Sequence, residues 1–241
     1  TGVALSGAGA GATNLIGSET RAYLQRTTGA GVEVDGNILI DARDRSTINS
    51  YVQAVSVAAS FAPTGAAVAI GVSVAENEIN STVTATVDRA VVEALGDITI
   101  TAFDLARIDT TSTAAAMAIS TGAGAAISGG GAYAYNTINT VTAAVVDRTG
   151  SVPVAGNPET GKTRLTTGKN LTVRAEGNAQ ADALVVAAAA SFGAIAAAAA
   201  GTISINRLNP KVMASIRTAD ILSSLTTGKV EVLALANQKA F

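Results

Sequence analysis

The side chains that recur at a fixed place in this 241-residue sequence are amides. Asn14, Asn77, Asn136 and Asn206 each follow a run of small residues and open matching segments: NLIGSETRAYLQR, NEINSTVTATVDR, NTINTVTAAVVDR and NRLNPKVMASIRT. A second amide follows at the fourth position in three of them, Asn80, Asn139 and Asn209, with Gly17 in the first. A carboxamide both donates and accepts hydrogen bonds. Placed above one another, such groups bond up the stack as a ladder; placed along a groove, they hold a polar ligand. The ladder is the generic use of stacked asparagine, so these seven residues are expected to form a structural ladder at a corner of the fold.

Other chemistry finds few of the residues it needs. With no His and no Cys, there are no imidazole bases, thiolate nucleophiles, disulfides or thiolate metal ligands. No G-x-S-x-G elbow is present. The acids Glu19, Asp35, Asp41, Asp44, Glu76, Glu78, Asp88 and Asp97 are scattered along the chain, whereas glycoside cleavage needs two carboxyl groups converging on one cleft. Asp88–Arg89 and Asp147–Arg148 read as solvated corner charges. The G-x-G strings near Gly7 and Gly122 lack the lysine of a phosphate loop. Sixteen basic and eighteen acidic residues balance to a net charge of −2 without a like-charged block, which excludes a nucleic-acid footprint. The expectation is a protein that is not an enzyme, with no catalytic residue, no cofactor and no metal.

Something must position the amides, and it is a repeat. The successive asparagines lie 63, 59 and 70 residues apart (14 to 77, 77 to 136, 136 to 206), and the segments they open align without a gap. Each copy also has a second block: GNILIDA at 36–42, GDITITA at 96–102, GKNLTVRA at 168–175 and GKVEVLA at 228–234. Apolar and polar residues alternate there, the period of a half-buried strand. The extra residue of the third block suggests a bulge. The longest spacing owes its length to 151–163, SVPVAGNPETGKT, whose Pro and Gly mark an inserted loop. The repeats run approximately over 1–53, 54–112, 113–182 and 183–241, in a single repeat domain.

Alanine is the best helix former, and residues 183–200 are the one stretch where a helix competes. Elsewhere TVTATV, ITITAF and AVAIGVSV alternate with period two and are rich in β-branched residues. The chain is therefore expected to be all-β, a parallel β-solenoid of about four stacked Ala/Gly-rich repeats. One broad rung per repeat, of two long strand runs folded over one another, is the simplest assignment; three smaller coils per repeat are the alternative. Where Ala and Gly face each other, the layers are expected to approach closer than the usual ~10 Å. The apolar run at 183–201 is mostly Ala, with Ser191 and Gly193 near its centre and no Trp or Tyr beside it. It is expected to be buried in protein and not to span a membrane.

The cadence of an Ala/Gly-rich run, N-x-I-N-[ST]-x-[TV]-x-A and then G-x-[IL]-x-[IV]-x-A resembles the large repetitive bacterial surface proteins, the leukotoxin-type filamentous adhesins and haemagglutinin-like exoproteins. That resemblance covers nearly the whole chain and implies a secreted protein of the cell surface, built as a long β-solenoid stalk. The function expected is a structural or adhesive section of an extracellular fibre. Its partners would be neighbouring repeats, head-to-tail copies of itself, or host and cell-surface components. The alternative is a carbohydrate-binding or carbohydrate-cleaving module on a β-helix, with Tyr23, Tyr51, Tyr133 and Tyr135 gathered beside acids. A pore-forming role leans only on the alanine runs.

Overall fold

The computed structural model describes residues 1–27, 31–147, 163–223 and 228–241. Each repeat makes one circuit of three strands, long, short and long. The first rung comprises β1 (Gly2–Gln25), β2 (Val32–Val34) and β3 (Ile38–Ser60); the second β4 (Gly65–Asp88), β5 (Val91–Ala94) and β6 (Ile98–Ser120). The third comprises β7 (Ala125–Asp147), β8 (Thr163–Thr167) and β9 (Leu171–Phe192), and the fourth β10 (Ile195–Ile216), β11 (Ala219–Ser223) and β12 (Val230–Ala240). Equivalent strands stack in parallel into three four-stranded sheets, ordered β1-β4-β7-β10, β2-β5-β8-β11 and β3-β6-β9-β12. This is the parallel β-solenoid of four rungs, with one broad rung per repeat.

Alternation of small or apolar residues with polar ones suits long strands whose inner face is sealed and whose outer face is open. The alanine run follows the same rule: it is strand up to Phe192 and again from Ile195, so the helix alternative is excluded. Alanine's helical propensity is a weak term. Here a neighbouring rung offers the backbone an in-register partner strand, as in β6 to β9 from Ile98 opposite Leu171 to Ile119 opposite Phe192. The expected burial of this run is not observed. Its second half starts β10 on the outermost rung, where residues 195–204 are exposed on both faces because β12 reaches only to Ala240, paired with Ala181, and no described strand of that rung lies opposite them. The extra residue of the third repeat forms no bulge in the ladder. Thr167 pairs with Ala94 and Leu171 with Ile98, so three residues join β8 to β9 just as three join β5 to β6, and Gly168 stands opposite Leu95 instead of Gly96. In that turn Asn170 donates to Asp97 Oδ1 from its backbone N (3.0 Å) and its side-chain Nδ2 (2.9 Å). The inserted loop at 151–163 lies outside the described residues except for Thr163, which begins β8.

The cross-section is a wedge. At its wide end the short strands close a core of Val83, Val87, Ile98, Ile100, Leu165, Leu171 and Val173. A second cluster holds Ile48, Ile79, Ile108 and Ile138, and a third, nearest the turns between rungs, is alanine alone: Ala58, Ala67, Ala69, Ala116, Ala118 and Ala126. Side-chain volume thus falls from the wide end to the thin end, and the two long sheets converge. At the thin end a Cβ added to Gly71 would lie 2.6 Å from the carbonyl oxygen of Ala115, and one on Gly130 2.6 Å from that of Ala188. Only glycine permits that approach.

Turns repeat as well. Arg26, Arg89 and Thr218 occupy equivalent corners after β1, β4 and β10 with φ of 53°, 48° and 48°. A left-handed non-glycine residue costs roughly 1–2 kcal/mol, which the flanking ladders offset. At the opposite, thin edge Gly122 (φ 98°) turns the chain so close to the first rung that a Cβ would meet the Pro63 oxygen at 2.6 Å.

Candidate functional site

The polar chemistry of the molecule lies between the two long sheets. Asn14, Asn77, Asn136 and Asn206 stand on β1, β4, β7 and β10 in one register. Asn14 Nδ2 donates to Asn77 Oδ1 at 2.8 Å, Asn77 to Asn136 at 2.9 Å, and Asn136 to Asn206 at 2.8 Å. The facing sheet completes the column: Asn77 Nδ2 also donates to Thr110 Oγ1, which donates to Asn136 Oδ1, both at 2.8 Å. The column ends on Asn206 Nδ2, which donates to the Phe241 carbonyl at 2.9 Å. It does not run along a corner. It crosses the middle of the wedge, where Asn77 and Asn136 are sealed from solvent, because the asparagine position has the inward parity of Ile79 and Val83.

Asn80, Asn139 and Asn209 fall on the opposite parity and form a separate ladder on the outer face. Asn209 Nδ2 donates to Asn139 Oδ1 and Asn139 to Asn80, each at 3.0 Å. Bond direction is reversed relative to the inner column. This ladder lines a shallow open groove with Thr82, Val141 and Lys211. A further pair, Asn237 to Asn178 at 2.8 Å, stacks on the third sheet.

The repeat motifs do not single out a second column, one of carboxylates. Asp44 and Asp104 stack in register on β3 and β6, facing Ser18 and Ser81 of the other long sheet. Ser18 Oγ and Ser46 Oγ donate to Asp44 Oδ2 at 2.7 and 2.9 Å, and Ser81 Oγ donates to Asp104 Oδ2 at 2.9 Å. Asp104 is wholly buried, and its Oδ1 has no hydrogen-bond partner among the described residues. Burial pushes its pKa up to about 6, the Ser81 bond opposes that rise, and the neighbouring Asp44 charge adds to it. A sequence signal does exist: Asp104 shares the parity of Ile98, Ile100, Ala102 and Ile108, all inward.

Asp88 is another buried acid, where its place after the strand predicts a solvated corner charge. Gln25 Nε2 and Arg89 Nε donate to its Oδ2 at 2.9 and 3.1 Å, so the corner is held by a covered charge pair. Arg148 lies outside the described residues. The four tyrosines are not gathered. Tyr133 and Tyr135 are neighbours on β7, where Arg207 stacks 5.3 Å over the Tyr135 ring. Tyr23 lies toward the far end of the same sheet, and Tyr51 is on the opposite outer face. Among the described residues, no three His, Cys, Asp or Glu side chains stand close enough to hold a metal ion, and no helix is long and apolar enough to cross a membrane.

Comparison with known proteins returned no match, whether to a family model, a curated protein or a solved structure. The role of the chain must be read from its own geometry.

Proposed function

We propose that the chain is a structural section of a bacterial surface fibre: an extracellular, rigid β-solenoid that serves adhesion by holding its rungs in one continuous stack. The observation that carries this reading is the asparagine column, one hydrogen-bonded file through all four rungs and sealed at its centre. Such a file transmits register from rung to rung and resists shear between them. The edges of β1 and β3 at one end, and of β10 and β12 at the other, carry unpaired backbone groups. Because every rung has the same register, each edge matches the other. A further rung, from the same chain or a second copy set head to tail, continues both sheets and ladders, and a contact of that kind propagates into a filament. The resemblance of the repeat cadence to filamentous adhesins points the same way.

Negative-stain electron microscopy of the purified chain over a concentration series tests this. Rods or filaments whose length grows with concentration are expected. Compact particles that turn over oligosaccharides would replace the fibre reading with the carbohydrate one.

A further inference from the structure

The charged residues are confined to one side of the wedge. Stretches 1–18, 46–75, 110–146 and 183–206 contain no Asp, Glu, Lys or Arg. The topology places the starts of β1, β4, β7 and β10 in these stretches side by side. Their outward residues make an uncharged face at the thin end, on which Leu5, Ile70, Val72, Ile127 and Ile203 are exposed. Gly7, Gly9, Gly129, Gly131 and Gly201 also point outward, with nothing within 4 Å of a Cβ placed on them. The face therefore has relief: Ile70 and Val72 of β4 form a ridge, bounded in register by Gly7 and Gly9 on β1 and by Gly129 and Gly131 on β7.

We propose that this face is a lateral interface between two copies of the chain, packed sheet on sheet about a two-fold axis that runs parallel to the strands midway between β4 and β7. That operation sets β4 against β7 of the second copy, and β1 against its β10, row facing row. Ile70 and Val72 then enter the furrow left by Gly129 and Gly131 of the second copy, Leu5 meets its Ala197, and Ile203 meets its Gly11. Rows Val68–Ile127 and Val74–Tyr133 set large against large and bound the furrow. Beyond the uncharged part the same operation brings Glu19 opposite Lys211 of the second copy, an attractive pair formed twice.

The area suffices. Four strands at about 4.8 Å spacing and about eleven residues at about 3.3 Å rise give about 700 Å² per face. Two faces bury about 1,400 Å², within the range of specific protein interfaces. An exposed uncharged patch of that size exceeds what a monomer ordinarily leaves open. A lipid surface is the poorer occupant, because the rung edges beside the face carry unpaired backbone groups that hydrocarbon cannot satisfy. The contact is lateral, so it is independent of end-to-end stacking and of the fibre reading.

Sedimentation equilibrium with two outward substitutions tests the proposal. Ile70→Lys removes the ridge and Gly129→Ile fills the furrow, and neither touches the interior. Each is expected to weaken pairing by about 100-fold while the circular dichroism spectrum stays that of the parent chain. Val57→Lys, on the other outer face, is expected to leave pairing unchanged. A parent chain that remains monomeric up to millimolar concentration overturns the proposal. So does equal loss with Val57→Lys, or vesicle binding without self-association. Ile70→Lys samples that still elongate end to end but no longer pair side by side would separate this interface from the fibre contact.

Discussion

Replacing Asp104 by asparagine should stabilise the protein at neutral pH and remove a pH dependence. In the fold the pKa of Asp104 is pushed from 3.8 up to about 6, with burial as the first cause. The native state therefore binds the Asp104 proton more tightly than the unfolded chain does. This contribution to stability is fully present below about pH 4, falls as pH rises through about 6, and is flat above that. Two pH units at about 1.4 kcal/mol each make the penalty at pH 7 about 3 kcal/mol. The substituted amide would be neutral throughout and could still accept from Ser81, with its Nδ2 taking the place of Oδ1, which has no partner among the described residues. Allowing for a weaker bond from Ser81 and a buried N–H without a partner, the net gain is about 1 kcal/mol, or about 2–4 °C in Tm for a chain of this size. Urea unfolding of both proteins at pH 4, 5, 6 and 7 measures it, and the difference between them isolates Asp104 from every other carboxylate. The reasoning fails if the parent protein gains stability relative to Asp104→Asn between pH 4 and 6. It fails equally if the substitution costs as much at pH 7 as at pH 4.

The inner and outer ladders should respond differently: Asn136→Ala leaves Asn206 Oδ1 without its donor and Asn77 Nδ2 without one acceptor, at about 1–3 kcal/mol, whereas Asn139→Ala on the open face should cost under about 0.5 kcal/mol by the same measurement. Gly71→Ala drives a Cβ into the Ala115 carbonyl and should lower stability by about 1–3 kcal/mol, while Gly129→Ala meets nothing and should be neutral. Ala144→Leu, at a wholly buried site in the wide core, should overpack by about 1–3 kcal/mol as well; tolerance of that change would mean the inward parity of β7 is misassigned. Far-UV circular dichroism should show β structure without helical double minima, despite the alanine content.

Most of the architecture is legible in the residues because a parallel in-register stack turns self-similarity into contact. Asn14, Asn77, Asn136 and Asn206 align in the sequence without a gap, and the same alignment is the strand register. Period-two alternation likewise separates inner Asn136 from outer Asn139. What the repeat does not encode is how the two long runs of one rung face each other. Nothing in NEINSTV or DLARIDTTS says that Asn77 reaches Thr110, or that Ser81 meets Asp104, since these partners lie 33 and 23 residues apart and share no pattern. The short third sheet, the asparagine column crossing the interior instead of a corner, and the burial of Asp88 were likewise decided by the tertiary structure. The physical reason is that stacking between rungs is set by backbone hydrogen bonds between equivalent positions, which a sequence repeats. Facing across the core is set by the volume left between converging sheets, which exists only once all four rungs are in place.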